Sequence, residues 1–196
     1  MARQGLRLGI SLVVMVAVAQ VSPENLRRFS PHLFAVGVIL LVAVLVMGAA
    51  GKGAQRWLDL GLVRFQPSEL MKLGVPMVVA WLLTRSQVPP RFAIVLLALA
   101  LTLIPASLVV VQPDLGTAIM LVVSGLFVLF LAGIRWQHVL MMLAAVTAVA
   151  PYLWFRLQEY QRQRILTLFD PWADPMGSGY QAIQSQIAIG SAGISG

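Results

Sequence analysis

The run HLFAVGVILLVAVLVMGAA, residues 32–50, decides what kind of protein this is. It holds nineteen residues and no Asp, Glu, Lys or Arg. At ~1.5 Å per residue, a helix of that length crosses a hydrocarbon core of roughly 30 Å. Working outward, apolar runs of similar character cover about 8–21, 67–83, 92–111, 118–134 and 138–155, so the reading is six spans within residues 1–155. The run 8–21 is short, and Arg3 and Arg7 before it resemble the start of a signal peptide. No small-residue cleavage site follows, only Ser22 to Arg28, which reads as a polar interhelical loop, and the run is read as a helix.

Composition agrees. The chain is 59% hydrophobic and 11% charged, with a mean hydropathy of +0.87, which makes it an all-α polytopic membrane bundle and excludes a soluble core. The absence of cysteine excludes disulfides and thiolate metal sites. Two isolated histidines, His32 and His138, cannot build a zinc site alone and read as residues of the membrane interface. The net charge of +7 points to anionic lipid headgroups or an anionic substrate, and nucleic acid is not expected.

The polar interruptions carry the chemistry. Between the second and third runs, Gly51 to Gln66 reads as a loop rich in glycine, cations and aromatics. Pro67-Ser68-Glu69 then starts a helix, with proline in the first turn and an acid at the positive end of the dipole. Glu69 and Lys72, three apart, share one face and can pair. An interfacial ion pair is the plain explanation, and an ionisable pair facing a cavity is about as good. Gln112-Pro113-Asp114-Leu115-Gly116-Thr117 is a tight reversal in which capping of the next helix is the first role expected of Asp114. After Phe155, Arg156 to Phe169 reads as an amphipathic helix along the membrane surface. Asp170-Pro171-Trp172-Ala173-Asp174-Pro175-Met176-Gly177-Ser178-Gly179-Tyr180-Gln181 ends it with two carboxylates in a turn, and a helix resumes at Tyr180.

If the spans alternate, Arg27, Arg28, Arg85, Arg91 and Arg135 share one side of the membrane. Arg3, Arg7, Lys52, Arg56, Arg64, Arg156, Arg162 and Arg164 share the other. A positive-inside count places the second side in the cytoplasm. That side also carries the unusual acids and glycines, so its cations are equally well explained by a substrate.

Three stretches together resemble the signatures of the SEDS family of peptidoglycan glycosyltransferases, its elongation branch more than its division branch. They are Gly53 to Gly61 with Arg64 to Lys72, then Gln112 to Thr117, then Asp174 to Gln181 with Gln184-Ser185. The resemblance covers essentially the whole chain. It implies a multi-pass protein of the bacterial inner membrane that polymerises the undecaprenyl-diphosphate-linked disaccharide, lipid II, into glycan strands, with a class B penicillin-binding protein as partner. It places residues 156–196 in an extracytoplasmic catalytic loop facing the periplasm, against the charge count. It also implies that the chain begins after the family's first span and stops before its last ones.

By the same resemblance Asp174 is the catalytic residue, a general base, with Asp170 the weaker candidate. Arg64 and Lys72, and after them Arg56, face the lipid-linked diphosphate. Glu69 holds Lys72, Gln66 is a neutral donor, and Gln181 belongs to the substrate-binding set. Asp114 supports the cavity or a divalent cation, magnesium or manganese, and no organic cofactor is expected. The chemistry fits these residue types: a carboxylate takes the proton of an attacking sugar hydroxyl while cations stabilise the leaving diphosphate. Two other classes use the same features. A flippase for a lipid-linked precursor needs the cations but no base, and a scaffold that recruits the partner needs neither.

Overall fold

The computed structural model describes residues 2–47, 49–51, 54–59, 64–157, 159–177 and 179–191. The chain runs α1 (Ala2–Ala19), α2 (Pro23–Met47), β1 (Ala49–Gly51), β2 (Ala54–Asp59), β3 (Arg64–Phe65), α3 (Pro67–Leu83), α4 (Phe92–Val111), α5 (Leu115–Leu131), α6 (Trp136–Arg156), α7 (Glu159–Phe169), a 3₁₀ turn (Pro171–Ala173) and α8 (Tyr180–Ser191). It divides into two compact units, residues 1–138 and 139–196.

Three local differences from the sequence reading have visible causes. The polar segment after α1 is not a loop: α2 begins at Pro23, an N-terminal position where proline lacks an amide that would go unused. The Ser22 hydroxyl accepts from the Asn25 amide at 3.4 Å, and Glu24 sits in the first turn. The Gly51–Gln66 loop contains short antiparallel strands in the order β1-β2-β3, with Leu58 opposite Phe65 and Asp59 opposite Arg64. Finally, Arg156 belongs to the end of α6 and not to the surface helix. Arg162 of α7 donates to the carbonyls of Trp154 at 3.0 Å and Phe155 at 3.2 Å, satisfying acceptors that a helix end leaves open.

The core of the first unit lies among α2, α3, α4 and α5, around Leu41, Met71, Val75, Val79, Ala98, Val109 and Leu121. Small residues set its helix crossings. A side chain at Gly37 would run into Met71, and one at Gly125 would run into Thr102, so α2 meets α3 and α4 meets α5 at close range. Gly133, at a φ of +73°, closes α5 in the left-handed conformation glycine adopts freely. His138 is buried with its ring 5.4 Å from that of Phe92.

By length and composition, Pro23–Val46, Phe92–Val111 and Trp136–Arg156 can cross a membrane, while Leu8–Ala19 and Leu115–Leu131 are shorter apolar helices. Large apolar side chains, among them Ile39, Leu103, Phe127 and Val146, are exposed along these helices. In water such a surface would be costly, and in lipid it is matched. The α6 window is only 6% buried within the chain. In the second unit, α7, the 3₁₀ turn and α8 pack together, with Ile183 buried.

Candidate functional site

Two helix starts meet in the first unit. Gln66 is the N-cap residue of α3 and Asp114 the N-cap residue of α5. Asp114 Oδ1 accepts from the Thr117 amide at 3.3 Å, the expected capping bond. Its Oδ2 accepts from Nε2 of Gln66 at 3.3 Å, across 48 positions of sequence. Gln66 makes no side-chain bond to its own helix. Both side chains are partly buried, which strengthens the bond relative to one in water.

Buried Gln112 lies two residues before Asp114 and donates from Nε2 to the Leu41 carbonyl of α2 at 3.1 Å. Sequence reasoning gave Gln112 no role. Its signals were membership of the Gln112 to Thr117 stretch and its position, an amide at the closing end of an apolar run, where a buried side chain must find a partner. The bond ties the α4–α5 reversal to α2.

One turn into α3, Lys72 Nζ and Glu69 Oε1 pair at 2.7 Å, with side chains 37% and 55% exposed. Their i,i+3 spacing produces the contact directly. The backbone of Arg56 lies in β2 and that of Arg64 in β3, two residues before Gln66. The side chains of Arg56 and Arg64 lie outside the described residues.

In the second unit the two carboxylates of the Asp-Pro stretch each hold a turn. Asp170 caps the 3₁₀ turn, Oδ1 accepting from the Trp172 amide at 3.1 Å. Asp174 Oδ1 accepts from the Gly177 amide at 3.0 Å, and its carbonyl accepts from the Gly179 amide at 3.0 Å. The glycines are there for space. A side chain at Gly177 would occupy the place of the Asp174 carboxylate, and one at Gly179 would strike the carbonyl oxygens of Pro171 and Asp174. The exposed carboxylate of Asp174 therefore stands at the start of α8 in a turn only glycine permits, with exposed Gln181 in the first turn of that helix.

The structure thus brings Gln66 to Asp114 and Glu69 to Lys72 within the first unit, and places Asp174 and Gln181 in the second. For the divalent cation expected from the resemblance, no three His, Asp or Glu side chains converge among the described residues. The Asp114 oxygens face N–H donors. The described residues do not fit a protein-held metal.

Apolar helices with wide lipid-compatible faces, joined by polar turns rich in capping acids and glycines, define a multi-pass helical membrane protein. A family model for cell cycle proteins of the FtsW, RodA and SpoVE type matches residues 1–196, and the chain belongs to that family. It is 50% identical over 191 residues to the peptidoglycan glycosyltransferase MrdB of Escherichia coli K12, covering 97% of this chain and 52% of that protein. It is 37% identical over 191 residues to the probable peptidoglycan glycosyltransferase FtsW of Escherichia coli O6:H1, covering 96% and 46%. Among solved structures it resembles a chain described under "Structural coordination of polymerization and crosslinking by a peptidoglycan synthase complex". The TM-score is 0.78 at 38% identity, covering 98% of this chain and 57% of that one. It also resembles the rod shape determining protein RodA of Thermus thermophilus, with a TM-score of 0.63 at 34% identity, covering 76% and 49%. The chain spans about half the length of the curated relatives it matches.

Proposed function

We propose that this protein is a peptidoglycan glycosyltransferase that polymerises lipid II, with Asp174 as general base. The observation that carries this is the glycine-cleared turn presenting the Asp174 carboxylate, in a chain half identical to MrdB. The higher identity to MrdB than to FtsW favours a role in elongation.

In the reaction, an attacking sugar hydroxyl gives its proton to the Asp174 carboxylate as its oxygen bonds to the anomeric carbon of the lipid-linked sugar. The bond from that carbon to the diphosphate oxygen breaks on the opposite face, and the electron pair leaves with the diphosphate. Lys72 and Arg64, with Arg56, offset the negative charge that grows there, and Glu69 holds the ammonium of Lys72. This reading puts the 156–196 segment in the periplasm and the spans in the bacterial inner membrane. The exposed Phe169, Trp172 and Met176 beside the turn are suited to a headgroup boundary. A class B penicillin-binding protein is the proposed partner, supported by the likeness to a chain of a peptidoglycan synthase complex.

The test is reconstitution of the natural full-length protein with its partner in liposomes containing lipid II. Glycan strands resolved by gel support the enzyme. Transbilayer movement of lipid II without a new glycosidic bond would establish the flippase reading instead.

A further inference from the structure

A carboxylate only accepts hydrogen bonds, so it dictates which end of a neighbouring amide faces it. Asp114 Oδ2 takes the Nε2 side of Gln66, which puts Oε1 on the far side of the planar amide. The carboxylate cannot turn to oblige a flipped amide, because its other oxygen accepts from the Thr117 amide and caps α5. Gln66 is half-buried, immediately before α3 and three residues from Glu69 of the Lys72 pair.

We propose that Asp114 is a positioning residue that fixes the Gln66 amide so that its oxygen, an acceptor, meets a hydrogen-bond-donating substituent of the substrate sugar, a hydroxyl or an amide N–H. This rests on the glycosyltransferase reading and sharpens it: Gln66 reads a sugar donor and is not a neutral donor to the diphosphate. It also assigns Asp114 a purpose other than holding a cation.

The pair can be inverted without removing the cap. In Asp114→Asn the amide oxygen still accepts from Thr117, as asparagine caps helices well. Its NH2 then faces Gln66, which turns to offer Oε1 inward and presents N–H groups to the substrate. Adding Gln66→Glu to that variant gives the NH2 of the introduced asparagine a carboxylate to donate to. A second carboxylate oxygen is left facing outward, so the acceptor returns.

The experiment uses the natural full-length protein in nanodiscs with its partner, and reads lipid II binding, steady-state polymerisation and thermal unfolding. The single variant is expected to weaken lipid II binding and raise KM about tenfold, the worth of one hydrogen bond turned from attractive to repulsive. Its kcat and unfolding temperature stay near those of the wild type, and the double variant recovers most of the loss. An Asp114→Asn protein that binds like the wild type, or a double variant as weak as the single, overturns the proposal. So does a wild type that binds no lipid II. If binding follows the predicted pattern while the wild type forms no glycan, the polymerase reading falls and the positioning role stands.

Discussion

Gln66 and Asp114, the N-cap residues of α3 and α5, are bonded to each other, Nε2 to Oδ2 at 3.3 Å. One carboxylate thereby closes one helix and anchors the residue that opens another. Asp114→Ala removes both bonds and leaves the Thr117 amide without its cap. The expected cost is about 1–2 kcal/mol of stability, several times that of Asp114→Asn. Thermal unfolding of the two variants in detergent makes the comparison, and equal stability would show that the carboxylate caps nothing.

The crossing of α4 and α5 depends on Gly125 lying against buried Thr102. Gly125→Leu forces a side chain into an occupied space, and overpacking of this kind costs about 1–3 kcal/mol. Gly116→Ala, where nothing lies within reach of an added methyl, should change stability far less. Unfolding midpoints for the two substitutions measure the contrast.

The Lys72–Glu69 pair is exposed enough to contribute little to folding. Lys72→Met is expected to change stability by less than about 1 kcal/mol. Glycan synthesis should nonetheless fall well below the wild-type rate, because the ammonium is assigned to the diphosphate. An unfolding curve and a polymerisation assay on the same preparation separate the two effects, and unchanged synthesis would remove Lys72 from the site.

Gly179→Ala pushes a methyl against the carbonyl oxygens of Pro171 and Asp174 and must move the turn that carries the Asp174 carboxylate. Misplacing a reacting group by about 1 Å costs on the order of a hundredfold in rate. Loss of that size in a polymerisation assay is the expected outcome, since the added methyl meets backbone oxygens that yield only if the turn moves. Retained activity would mean the turn does not position the base.

Much of this is legible because membrane helices announce themselves. Uncharged runs of about twenty residues are rare outside the bilayer, and α4 covers Phe92–Val111, where such a run lies. The cap at Asp114 and the pairing of Glu69 with Lys72 are readable as well, because both arise from spacings of three residues along one helix. What stays hidden depends on partners distant in sequence. Gln66 meets Asp114 across 48 residues and Gln112 meets Leu41 across 71, and no local pattern marks either. The break after Arg156 is hidden for a related reason. It is held by Arg162, whose charge in the sequence looks like part of an amphipathic face and whose bonds to the α6 carbonyls only the structure reveals.

Asp174→Asn removes the carboxylate proposed to take the proton in glycosidic bond formation. Asparagine can still accept from the Gly177 amide, so the turn and lipid II binding should persist while the base is lost. The natural full-length variant, with its partner and lipid II at saturating concentration, is predicted to bind normally and form glycan strands about 10²–10⁴-fold more slowly than the wild type. Strands formed at the wild-type rate would contradict the assignment of Asp174 as the base.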